Sequence, residues 1–223
     1  MSSFLIPYMN LISLNTIATD DFERSSLGAN WEIAYPTGGD AAQVQILGNS
    51  DLGMTAGAQA FFLVDWVANT FSDNQFSTAV ISSETTMVSG NTVWAFQVYV
   101  RRRLSDGARY GFGYDNDPSQ PQYQRWYIKY DGVPNIDVRY FGLSNIVPLS
   151  QAPKPGDTLR IEVVGYTVLG YFNDVLVLTA TDTDPTKIAS GRPGLASRIA
   201  TGNSSNPSDV KIWESFTAGN IIT

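Results

Sequence analysis

TVWAFQVYVR, residues 92–101, alternates strictly: Trp94, Phe96, Val98 and Val100 fall on one side of an extended chain, and Ala95, Gln97, Tyr99 and Arg101 on the other. Period-2 alternation of this length predicts a β-strand with one face in a core and the opposite face solvated, carrying a single aromatic ring. The next polar and aromatic segment repeats the pattern, with Tyr123, Arg125, Tyr127 and Lys129 set against Gln124, Trp126, Ile128 and Tyr130. If the two strands are neighbours, their polar rows lie side by side.

Further out, β-branched and aromatic runs of four to eight residues recur between clusters of Gly, Pro, Asn and Asp, and helical periodicity is scarce. Strands are predicted near 17–23, 30–35, 41–47, 60–66, 76–82, 92–103, 108–114, 123–130, 135–142, 157–164, 167–172, 175–181 and 209–217. Asp106-Gly107, Asp131-Gly132 and Asn173-Asp174 stand where two-residue turns need positive φ, so the strands they join are expected to pair antiparallel. No crossover helices are available for parallel units, and the expectation is an all-β, antiparallel two-sheet β-sandwich. The Pro-rich stretch 143–158 is expected to be a loop within one domain, and 199–208 an irregular surface loop.

At 223 residues the chain is long enough for one well-buried domain. A net charge of −7 opposes nucleic acid and anionic lipid as partners, and apolar runs are too interrupted to span a membrane. The absence of Cys removes disulfides and thiolate chemistry, and the absence of His removes the commonest general base and zinc ligand. No Lys or Arg precedes Arg24, so a secretory signal peptide is not expected. Residues 1–18 are therefore set apart as an N-terminal arm before a domain over 19–223. Its apolar side chains, among them Phe4, Leu5, Ile6 and Tyr8, either add a strand to the sheet or dock on a neighbouring subunit.

Asp20-Asp21-Phe22-Glu23-Arg24, Leu27-Gly28 and Trp31 resemble the D-x-F-x-R…L-G…W opening of concanavalin A-like (laminin-G-like) jelly rolls of bacterial and phage proteins. Pro155-Gly156-Asp157-Thr158-Leu159-Arg160-Ile161-Glu162 resembles their G-D-x-L-x-x-E strand. Gly165 with Tyr171-Phe172-Asn173-Asp174 resembles their G…Y-x-N-G hairpin, Asp174 standing in place of the last Gly. The similarity continues to Trp213 and Phe216. It implies a concanavalin-like jelly roll in which Phe22, Trp31, Trp213 and Phe216 anchor the chain ends in one core. The superfamily includes lectins, carbohydrate-binding modules, glycosidases, lyases and virion proteins, so the resemblance leaves function open.

Glycosidases of this fold set carboxylates in an E-x-D-x-x-E pattern along one strand, which this chain lacks. Lyases of the fold pair a Tyr base with a His, and there is no His. The expectation is a non-catalytic module with a glycan or protein-surface partner. A tyrosine-based, polysaccharide-degrading enzyme is the alternative. Gln97, Tyr99, Arg101, Arg125, Tyr127, Arg139 and Glu162 are the candidate ligand-binding residues, since rings stack on sugar C–H faces and Arg, Gln and Glu bond hydroxyls. The resemblance and the arm also suggest self-association or attachment to a larger particle, as a virion surface component. No cofactor is expected. Asp115-Asn116-Asp117 and Asp182-Thr183-Asp184 group oxygen ligands as Ca²⁺ requires, but lack the EF-hand Gly and distal Glu, so turn capping is the favoured role.

Overall fold

The computed structural model describes residues 13–37, 44–55, 60–83, 91–115, 125–131, 138–144, 153–184, 187–201 and 210–222, with backbone alone at 13, 35–37, 60, 91–94, 125, 138–144 and 199–201. The strands are β1 (Ser13–Asp20), β2 (Trp31–Thr37), β3 (Val44–Leu47), β4 (Asp51–Met54), β5 (Ala60–Trp66), β6 (Gln75–Ile81), β7 (Asn91–Arg102), β8 (Arg109–Asp115), β9 (Arg125–Asp131), β10 (Val138–Ser144), β11 (Thr158–Val164), β12 (Thr167–Phe172), β13 (Val175–Thr181), β14 (Arg192–Thr201) and β15 (Val210–Ile222). They form two stacked antiparallel sheets. One runs β13-β12-β11-β6-β15-β4-β3 with β1 beside β15, and the other β10-β9-β8-β7-β14-β5-β2.

The alternation of residues 92–101 sets the layering, for Phe96, Val98 and Val100 are buried between the sheets. β8 follows the same rule with Tyr110, Phe112 and Tyr114, and β9 with Trp126, Ile128 and Tyr130. Rings join the sheets: Trp126 stacks on Phe112 at 5.3 Å and meets Phe172 of the facing sheet at 4.6 Å.

β15 ties the chain ends together. Its first residues pair with β4, Phe216–Ile222 pair with β1, and β6 lies along its other side. Trp31, Trp66 and Phe216 pack within 6 Å of one another, Phe22 stands 5.7 Å from Trp31, and Trp213 meets Phe96 edge-on at the same distance. The opening motif is a knot around Asp20, whose carboxylate accepts from Phe22 N (2.8 Å), Arg24 Nη1 (2.5 Å) and Nη2 (2.6 Å), and Trp31 Nε1 (2.6 Å).

Asn173 and Asp174 both take positive φ and turn β12 into β13, as their side chains allow. Gly107 does so in the β7–β8 turn, where Arg103 pairs with Asp106. Gly132 lies outside the described residues.

Two strands escape the sequence reading. β4 is only Asp51-Leu52-Gly53-Met54. β14 opens Arg192-Pro193-Gly194, which looks like a turn, and its last residues 199–201 fall in the stretch expected to be irregular. Its neighbours dictate small residues, since β14 is wedged between β7 and β5, and a Cβ on Gly194 would come within 2.1 Å of Val64 O. A register shift between Arg192 and Gly194 lets Pro193, which has no N–H, into the sheet. β1 starts at Ser13, so 13–18 of the expected arm are sheet, while Phe4, Leu5, Ile6 and Tyr8 lie outside the described residues.

Candidate functional site

The outer face of the seven-stranded sheet gathers three of the seven candidate residues, Gln97, Tyr99 and Tyr127. Register places Leu63, Ala196, Gln97, Gly113 and Tyr127 in one row across β5, β14, β7, β8 and β9, and Asp65, Gly194, Tyr99, Gly111 and Lys129 in the next. β7 and β9 are not neighbours, since β8 stands between them, yet Gln97 and Tyr127 meet across Gly113, with Gln97 Nε2 donating to Tyr127 Oη at 3.5 Å. The glycines make room for long side chains to lie along the sheet. A Cβ on Gly194 would stand 2.5 Å from Tyr99 Oη, one on Gly111 2.3 Å from Gln97 Nε2, and one on Gly113 2.8 Å from Tyr127 Oη.

These side chains are not wet, which corrects the sequence reading. Gln97, Tyr99 and Tyr127 are buried, and Tyr99 is wholly so. Arg109, itself buried, explains part of this: its guanidinium lies 5.7 Å from the Tyr99 ring centre and 5.8 Å from that of Phe61. Leu63, Tyr99 and Ala196 form a small second core beneath it, with Phe61 and Ala34 against them.

The buried charges are paired. Arg109 bonds Asp131 and approaches Gln97 Oε1 at 3.4 Å, and Lys129 Nζ is 2.8 Å from the same Asp131. Burial would raise the Asp131 pKa, but the charges of Lys129 and Arg109 outweigh it and hold the carboxyl below its ordinary value. Burial lowers the Lys129 pKa, and Asp131 opposes the shift. The Tyr99 hydroxyl is 2.7 Å from Val64 O and 2.8 Å from Asp65 Oδ1, and Arg102 Nη1 is 2.5 Å from Asp65 Oδ2. Burial, reinforced by Asp65, pushes the Tyr99 phenol well above the usual tyrosine range. Burial also raises the Asp65 pKa, against the pull of Arg102 and Tyr99.

Arg101 leaves this face. It takes φ +54° at the end of β7, and its side chain turns to the edge between the sheets, donating through Nε to Asp73 O (2.6 Å) and Nη1 to Ile188 O (2.9 Å). Arg102 takes the outward place and reaches Asp65. The run Arg101-Arg102-Arg103 is thus split among three environments, as strand geometry demands.

Glu162 belongs to the other sheet, where it is buried, accepts from Tyr171 Oη at 3.1 Å and pairs with Arg160 at 3.4 Å. It cannot converge with Gln97 or Tyr127. Burial and Glu162 push Tyr171 up to about 12. For Arg125 and Arg139 only the pairing is described, with Asp115 and Tyr130 respectively.

What the face offers to a ligand lies one row along. Phe61, Arg198, Ala95 and Asp115 follow one another across β5, β14, β7 and β8; Arg198 is exposed and the other three are half-buried. The alternation of RYGFGYD at 109–115, a row of Arg109, Gly111, Gly113 and Asp115 opposite three aromatics, was the available signal for this face. Asp65, Arg198 and the strand bearing Arg198 had none.

Asp182 has both oxygens engaged, one by Tyr110 Oη (2.7 Å) and one by Asp184 N (2.9 Å), which is turn and core capping. No group of three acidic side chains suited to a metal occurs among the described residues. Among them, too, no helix is long and apolar enough to cross a membrane.

No family model and no curated protein matches the sequence. Solved structures do match. A Bacillus subtilis protein of unknown function with a galectin-like fold superposes with TM-score 0.62 at 12% identity, covering 95% of this chain and 99% of that one. The fold is that of the concanavalin A-like jelly rolls. Within this jelly-roll group, a laminarinase from Flavobacterium sp. UMI-01 gives TM-score 0.54 at 11% identity, covering 92% and 100% of the two chains. The metal-free carbohydrate recognition domain of Emp46p gives 0.55 at 11%, covering 85% and 88%.

Proposed function

We propose that this jelly roll is a non-catalytic binding module that takes a glycan across the outer face of its seven-stranded sheet, along the row of Phe61, Arg198, Ala95 and Asp115. The observation that carries this is a glycine-floored face ending in a partly exposed row that combines an aromatic ring, a guanidinium and a carboxylate. A ring packs against sugar C–H bonds while Arg198 and Asp115 bond hydroxyls directionally. Among the structural neighbours, one is named a laminarinase and another a carbohydrate recognition domain, so the fold alone favours neither hydrolysis nor binding. The side chains support binding. The strand β7 gives this face Ala95, Gln97 and Tyr99, none of them a carboxylate, and Asp65 and Asp131 are each held by arginine. A tyrosine-based elimination is opposed by the Tyr99 phenol, whose raised pKa and full burial withhold it as a base. The virion-surface role and self-association expected from the sequence gain no support from the fold or these neighbours.

A glycan array followed by calorimetry on the hits tests the reading. Phe61→Ala is expected to weaken binding roughly tenfold in a protein that still unfolds cooperatively, at a melting temperature lowered by the lost packing on Leu63 and Tyr99. Unchanged affinity in that variant, or sustained release of reducing or unsaturated ends from a polysaccharide panel, would overturn it.

A further inference from the structure

A second, separate cleft of about 300 Å³ opens at the edge between the two sheets, lined by Asp73, Asn74, Arg101, Gly165, Tyr166 and Ala189. Arg101 is its back wall and is 1% exposed. Arg24, Arg102, Arg103, Arg109, Arg160 and Arg192 each have a carboxylate partner. Among the described residues Arg101 has only the carbonyls of Asp73 and Ile188, and its Nη2 has no hydrogen bond. No carboxylate lies in salt-bridge contact with this buried guanidinium, on which Asp73 acts only through its charge, and a positive φ on a non-glycine residue adds strain at the same position.

The other groups at the cleft are donors as well. Asn74 Oδ1 accepts from Gly165 N at 2.9 Å, which fixes the amide and leaves Nδ2 as its unbonded end. The Tyr166 ring closes the lining, 5.8 Å from the Arg101 guanidinium. Asp73, exposed at the rim, is the one acidic side chain in the lining. Of the two charged side chains in the lining, the cation is the buried one and the carboxylate stands at the rim, so the inner end of the cleft presents N–H donors.

We infer that this cleft is a binding site for a small carboxylate ligand, of the size of one acidic sugar such as a hexuronate, held through Arg101 Nη2 and Asn74 Nδ2. Two fixed N–H donors suit the two oxygens of a planar carboxylate, and the volume stands at the lower end of ligand pockets. The inference is independent of the glycan row on the outer sheet face.

The test is a titration of the ¹⁵N-labelled full chain with glucuronate, with glucose and inorganic phosphate as controls. Glucuronate is expected to shift the amide signal of Gly165, and glucose to leave it in place. Asn74→Asp retains the acceptor for Gly165 N and replaces only the unbonded donor with an oxygen, so it is expected to weaken glucuronate binding by about tenfold or more without lowering the melting temperature. The inference is overturned if glucuronate does not bind, if its shifts bypass Gly165, if Asn74→Asp binds as the parent does, or if phosphate competes equally.

Discussion

Asp20 shows how much one side chain organises here. Its two oxygens serve the Phe22 amide, the Arg24 guanidinium and the Trp31 indole, and so lock the turn that delivers two aromatic rings to the core. Burial alone would raise its pKa, but these donors outweigh burial and lower it below the ordinary 3.8. A carboxyl whose pKa falls on folding adds stability that is present above the unfolded value and lost as pH drops toward the folded one. Asp20→Asn is therefore expected to cost about 2–3 kcal/mol at pH 7, with the gap to the parent closing below about pH 4. Urea titrations at a series of pH values measure this. A gap independent of pH would assign the loss to packing and not to charge.

Among elements, the glycines of the outer face divide into two kinds. At Gly194 the obstacle to a Cβ is the backbone carbonyl of Val64, which cannot move without breaking the β14–β5 pairing; at Gly111 it is the end of the Gln97 side chain. Gly194→Ala is expected to destabilise by about 2–3 kcal/mol and Gly111→Ala by under about 1 kcal/mol, as judged by denaturant midpoints. Asp131→Asn leaves the buried Arg109 and the half-buried Lys129 without their anion, and should cost about 3 kcal/mol in the same assay. The elements themselves were legible wherever alternation was strong. β7, β8 and β9 announce themselves by aromatic-polar alternation, and their rows meet as that pattern requires. β14 was not legible, because wedging between two strands favours small residues, and Pro193-Gly194 imitates a turn. Arg101 was misplaced for a similar reason: one residue at positive φ reverses the faces, and nothing local marks it.

Over the whole molecule, stability depends on pairing the two ends of the chain. β15 sits inside its sheet, flanked by β6 and by β4 and β1, and it supplies Trp213 and Phe216 to the core. Truncation before Val210 is expected to abolish the cooperative thermal transition, and retention of a sharp melt would refute the central place given to β15. Since β1 and β15 close nearly the full length of the chain, refolding is expected in the range of milliseconds to seconds, measurable by stopped-flow tryptophan fluorescence. The sequence by itself determined the class of fold, the core faces of its central strands and the exclusion of His- and Cys-based chemistry. Those follow from local periodicity and residue inventory, which need no knowledge of what packs where. Only the tertiary structure decided which polar residues are reachable. Burial depends on partners far away in the chain: Arg109 over Tyr99, Asp131 between two cations, Glu162 on the opposite sheet, and Arg101 turned toward a cleft that no strand pattern encodes.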